Sequence, residues 1–114
     1  TKNVEIAIKN LSLNKSNLRL NDVLIFQFSL ASQKKVKQRL MVDYRIHYSK
    51  KSGVQLPKVF KLKELDLKPG EIVIIKKQQR FQDFTTRKLH NGPHLLEIMV
   101  NGKGMAKKKF EFKR

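Results

Sequence analysis

Apolar and polar residues alternate with a period of two along almost the whole chain, the pattern of strands that lay one face on a core. Val4, Ile6 and Ile8 alternate with Glu5, Ala7 and Lys9. Leu24, Phe26, Phe28 and Leu30 alternate with Ile25, Gln27 and Ser29. The clearest run sets Leu40, Val42, Tyr44, Ile46 and Tyr48 against Met41, Asp43, Arg45 and His47. Leu96, Ile98 and Val100, and then Phe110 and Phe112, continue the pattern. Two further runs, Val59 to Lys63 and Ile72 to Lys77, are shorter and less regular. A slip of one residue would expose every residue of the apolar set, so the alternation predicts that Phe26, Phe28, Val42, Tyr44, Ile46, Ile98, Phe110 and Phe112 are buried.

Turn residues fall between the runs. They are Asn21-Asp22, Lys50-Lys51-Ser52-Gly53, Pro69-Gly70, Asn91-Gly92-Pro93 and Asn101-Gly102-Lys103-Gly104. Pro-Gly supplies turn chemistry, and Asn-Gly between alternating runs marks a hairpin. Short strands with turns at near-regular spacing predict an all-β fold, a seven-stranded antiparallel immunoglobulin-like β-sandwich. The whole chain, residues 1–114, reads as a single domain of that kind. Only Arg80 to His90 lacks the period. It reads as a crossover between sheets holding one helical turn, with Asp83 as its cap and Phe81, Phe84 and Leu89 plugging the open end of the sandwich.

Composition narrows the function. The chain has no cysteine, which excludes disulfides and thiolate chemistry and fits a reducing, cytoplasmic setting. No apolar run approaches the ~20 residues of a membrane-spanning helix, so no membrane partner is expected. The chain starts at Thr1 and not at Met, so a fragment of a longer protein is expected. The acids are scattered singly and offer no facing carboxylate pair for acid–base work. His90 and His94 are separated by Asn91-Gly92-Pro93, which no helix can traverse, so they do not form a helical metal pair. His94 is expected to pack at a strand start. No nucleophile elbow or phosphate-cradling glycine loop is present. No cofactor, metal or catalytic residue is therefore assigned, and the chain is expected not to be an enzyme.

Charge is the strongest remaining signal. Lys and Arg total 26 against 9 Asp and Glu, a formal net charge of +17. A small domain needs only ~2–8 for solubility. A field of this size attracts polyanions, and duplex DNA held weakly and without sequence preference is the expected partner. Alternating strand direction sorts the basic loops into two ends. One carries Lys34, Lys35, Lys37, Arg39, Lys68 and Lys103; the other carries Lys15, Arg19, Lys50, Lys51, Arg80, Arg87, Lys88 and His90. Both compete for the binding role. The preferred set is Lys50, Lys51, Thr85, Thr86, Arg87 and Lys88, because the hydroxyls add neutral phosphate donors that a merely solubilising patch does not need.

Several segments carry a family resemblance. They are Val42-Asp43-Tyr44-Arg45-Ile46-His47-Tyr48, Lys58-Val59-Phe60-Lys61-Leu62-Lys63 and Leu67-Lys68-Pro69-Gly70-Glu71, then Phe81-x-Asp83-Phe84-Thr85-Thr86-Arg87 and Gly92-x-His94 through Asn101-Gly102. Together they resemble the C-terminal β-domain of bacterial DNA alkylation repair proteins, relatives of the HEAT-like alkylpurine DNA glycosylases. The resemblance implies a non-catalytic accessory domain that follows an N-terminal helical-repeat domain of the same chain. The alternative is a protein–protein or intramolecular docking module that never touches DNA. A secreted adhesin or sugar-binding sandwich fits less well, because sugar platforms need exposed aromatics and the chain has no Trp.

Overall fold

The structure is a computed structural model that describes residues 4–50, 56–83 and 88–114. Among these residues there are eight strands and no helix: β1 (Ile6–Leu13), β2 (Asn17–Arg19), β3 (Val23–Ser32), β4 (Gln38–Tyr48), β5 (Leu56–Leu67), β6 (Ile72–Arg80), β7 (Gly92–Val100) and β8 (Lys103–Lys113). They form a three-stranded sheet, β1-β3-β6, and a five-stranded sheet, β2-β8-β7-β4-β5. The core lies between the sheets. Phe26 of β3 meets Tyr44 of β4 edge-on at 5.0 Å between ring centres, and Tyr44 stacks on Phe60 of β5 at 4.9 Å. All eight residues predicted to be buried are at most 2% exposed. Each such large side chain contributes about 1.5–3 kcal/mol relative to exposure.

The expected count of seven antiparallel strands needs correction. β2 is an eighth strand and runs parallel to β8, with Leu18 beside Phe112, so the larger sheet is mixed. Three residues are too few to show a period, and their partner lies at the far end of the chain. Leu18 is nevertheless 1% exposed and belongs to the core.

Bulges break the period in two strands. In β1 the register with β3 shifts between Lys9 and Ser12, where Asn10 takes a positive φ of 58°. The inward set therefore changes from Ile6 and Ile8 to Leu11 and Leu13. In β5, Val42 pairs with Lys63 and Asp43 with Lys61, leaving Leu62 as the extra residue. Inward positions change there from Phe60 and Leu62 to Leu65 and Leu67. One inserted residue reverses the parity of a strand, and a search for strict alternation loses it.

The turns follow their residues. Glu71 N–H donates to the Lys68 carbonyl at 3.0 Å across Pro69-Gly70, where Gly70 has φ 72°. Asn101 and Gly102, with φ 50° and 81°, link β7 to β8 in the twisted two-residue hairpin that Asn-Gly favours. Strand directions also confirm the sorting of loops into two ends: β3, β5 and β7 finish at one, and β1, β4, β6 and β8 at the other.

Candidate nucleic-acid interface

Lys50 and Lys88 are exposed at the end where β4 and β6 finish. Lys51, Thr85, Thr86 and Arg87 lie outside the described residues, as do Phe84 and the expected helical turn. Phe81 and Leu89, the two other apolar residues of the crossover, are both 2% exposed and close the core as expected.

Asp83 does not simply cap a turn. Its Oδ1 accepts the Leu89 N–H at 2.9 Å and the Arg114 Nη1–H at 2.7 Å. Its Oδ2 accepts Arg114 Nη2–H at 2.8 Å. Arg114 Nη1 also donates to the Leu89 carbonyl at 2.8 Å, and its backbone N–H to Asn91 Oδ1 at 2.7 Å. The two feet of the crossover are thus tied together by a forked ion pair. Arg114 first, and the Leu89 amide second, hold the Asp83 carboxyl well below its usual range. On the other side, Asn21 N–H donates to the Phe81 carbonyl at 2.6 Å and Phe81 N–H to the Asp22 carbonyl at 2.8 Å. Asp22 in turn accepts the Arg19 amide and Lys15, which together lower its pKa. The described feet of the crossover are therefore pinned, and Asp22 and Asp83 are engaged by neighbouring cations and amides.

Beneath the platform sits His94, fully buried. Its ring packs between Tyr48, Phe81, Phe110 and Phe112, with centroids 5.5–5.9 Å apart. Nδ1–H donates to the Gly92 carbonyl at 3.1 Å, and Nε2 has no partner. Burial pushes the pKa of His94 down. It is a core histidine, as expected, and among the described residues no group of three or more His, Asp or Glu could hold a metal ion.

The outer face of the larger sheet holds the other polar cluster. Glu97 Oε1 accepts Arg45 Nη2–H at 2.7 Å and Arg45 Nε–H at 3.0 Å, and lies 3.0 Å from His47 Nε2. His47 first, and Arg45 after it, keep the Glu97 carboxyl below its ordinary range. A Cβ at Gly104 would stand 2.0 Å from Glu97 Oε2, so a larger residue there would push the carboxylate from its partners. Arg45 and His47 of β4 thus pair across strands with Glu97 of β7.

The competing basic end is mixed in charge. Arg39 is engaged by Glu64 at 3.0 Å and by Asp66 at 3.5 Å. A cleft of about 710 Å³ opens there, lined in part by Lys34, Lys37, Arg39, Asp43 and Asp66. Cations and acids share that surface, as Lys15 and Arg114 share theirs with Asp22 and Asp83 at the other end. Sequence reasoning missed two basic features. One is Arg114, whose role needs its distant partner Asp83. The other is the run Lys107-Lys108-Lys109 on β8, legible as a charge run. Lys107 and Lys109 stand beside Glu97 and Leu95 on the outer face, and Lys108 Nζ reaches the Leu11 carbonyl at 3.5 Å.

Known proteins give this architecture a context. A family model described as "Uncharacterised protein YhaZ, C-terminal Ig-like domain" matches residues 7–114. The uncharacterized protein YhaZ of Bacillus subtilis (strain 168) is 30% identical over 97 residues, which cover 85% of this chain and 27% of that protein. The structure of Pseudomonas fluorescens alkylpurine DNA glycosylase AlkC, bound to DNA containing an abasic site analog, superposes with a TM-score of 0.96. It is 34% identical and covers 99% of this chain and 32% of that one. A β-glucosidase from Listeria innocua shares the fold alone, with a TM-score of 0.77 at 12% identity over 96% of this chain and 16% of its own. This chain thus spans about a quarter to a third of the two relatives it resembles in sequence. The family match over nearly all of its length carries the conclusion: the chain belongs to the family of C-terminal immunoglobulin-like domains described from YhaZ.

Proposed function

We propose that this domain is the non-catalytic accessory part of a DNA alkylation repair protein, and that it helps hold duplex DNA by charge. One observation carries the reading: the similarity to AlkC, a glycosylase bound to DNA, at 34% identity over 99% of this chain. The net charge of +17 supports the same partner. The contact is weak and indifferent to sequence, because scattered lysine and arginine charges meet phosphates, and among the described residues no helix is present to enter a groove. The preferred face is the end bearing Lys50, Lys51, Thr85, Thr86, Arg87 and Lys88. Base excision needs an extruded nucleotide in a shaped pocket with a positioned acid or base. That chemistry belongs to the body that precedes the domain in longer relatives. The cysteine-free composition supports a cytoplasmic setting.

Duplex binding measured by fluorescence anisotropy across salt tests the reading. If ~4–6 phosphates are neutralised, log affinity falls against log salt with a slope of about −4 to −5. Reversing Arg87 and Lys88 to Glu weakens binding and flattens the slope; reversing Lys34 and Lys35 does less. No affinity at low salt would transfer the charge to another partner. A second reading, a docking module, is favoured by the length of the relatives, each of which carries a large further body.

A further inference from the structure

The cleft at the end opposite Lys50 and Lys88 is built where the chain enters the domain. Val4 lines it together with Val36, Met41, Lys37 and the Asn101-Gly102 turn. Val36 is 59% exposed and Met41 46%, an apolar floor left open to solvent. The approach of the chain to this floor is fixed by a buried polar side chain. Gln38, 5% exposed, accepts the Glu5 N–H on Oε1 at 2.9 Å. Its Nε2 donates to the Glu5 carbonyl at 3.0 Å and to Ser32 Oγ at 3.0 Å. Gln33 N–H adds a bond to the Glu5 carbonyl at 2.8 Å.

We propose that this cleft seats the body that precedes the domain in longer members of the family, so that the domain is held at a set orientation and does not swing. The inference rests on the accessory-domain reading but not on DNA contact. Two observations choose the occupant. The family model describes the domain as C-terminal in YhaZ, and the match covers only 27% of that protein, so most of the YhaZ chain lies ahead of the domain. That chain arrives at the cleft itself, because Val4 is part of the wall. A second copy of the domain is disfavoured by +17 on each copy. Asp43 and Asp66 in the lining disfavour a phosphate backbone. The matching surface is apolar at its centre, with an acidic side chain facing Lys37.

The test uses the full-length protein that carries this domain, with Val36→Glu and Met41→Glu introduced together. Both side chains are exposed, so the domain keeps its fold, which thermal melting of the variant verifies. In the wild type the domain tumbles with the whole protein. In the variant it is released, and its NMR rotational correlation time falls about threefold, in line with its 32% share of the AlkC chain. Placing two carboxylates at the apolar centre of the seat lowers the docking equilibrium constant roughly a hundredfold or more. Independent tumbling in the wild type, unchanged tumbling in the variant, or a gene with no body ahead of the domain each overturns the proposal. So does a wild-type dimer that Met41→Glu dissolves. Lys50→Glu with Lys88→Glu provides the separate arm: it lowers DNA affinity without changing tumbling. If that arm fails while the first holds, DNA contact is lost and the seat stands.

Discussion

The buried ring of His94 makes the stability of this domain depend on pH in a defined direction. The ring is fully buried among four aromatic side chains, with Nε2 unpaired. Desolvation therefore holds its folded pKa below the ordinary imidazole value of about 6.5 that it regains on unfolding. Below that value the unfolded chain binds a proton that the folded chain refuses. The stability contributed by the neutral ring is complete above the unfolded pKa and is lost as pH falls from there toward the folded pKa. A full pH unit between the unfolded and folded values removes at most about 1.4 kcal/mol. For a domain of this size that limit lowers the melting temperature by roughly 5–10 °C. Urea denaturation at a series of pH values from 8 to 5.5 measures it. His94→Leu has nearly the same volume and removes the titration. Its absolute stability differs, since the Gly92 carbonyl loses its donor, but its pH slope flattens. Equal slopes for wild type and His94→Leu would refute the argument, as would a wild type that gains stability on acidification.

Gly104→Ala places a methyl group against Glu97 Oε2 and dislodges that carboxylate from Arg45 and His47; an overpacking cost of about 1–3 kcal/mol is expected in urea melts. Tyr44 donates to Gln79 at 2.6 Å, and burial pushes its pKa up to about 12. Ultraviolet titration should show it ionising well after an ordinary phenol, and its contribution to stability is lost as pH rises from about 10 toward 12. Tyr44→Phe leaves Gln79 unpaired and costs about 1–3 kcal/mol by the same urea measurement. Asp83→Asn loosens the forked pair with Arg114, so hydrogen exchange at the Leu89 amide speeds up while amides of β4 and β7 keep their protection. Unchanged exchange at Leu89 would mean that the crossover is held by Phe81 and Leu89 alone.

Alternation by itself determined the sandwich, most of its strands and its core, because a half-buried strand has no freedom over which of its faces is apolar. The Asn101-Gly102 and Pro69-Gly70 turns were equally legible, since positive φ restricts the residues that can stand there. The basic excess was visible as a count, and the two loop ends followed from strand direction. Three-dimensional pairing decided the rest. β2 has three residues and owes its existence to β8, so no local period could reveal it. The parity reversals in β1 and β5 come from single inserted residues whose position only the partner strand defines. Local pattern predicts Asp83 as a cap of residues outside the described ones, while its forked partner Arg114 is 31 residues away. Glu97 gathers Arg45 and His47 from another strand, and Gln38 anchors Glu5 across 33 residues. Local pattern specifies which face of a strand is buried. Which charges and amides meet is set by the fold, because their partners are neighbours in space and not in sequence.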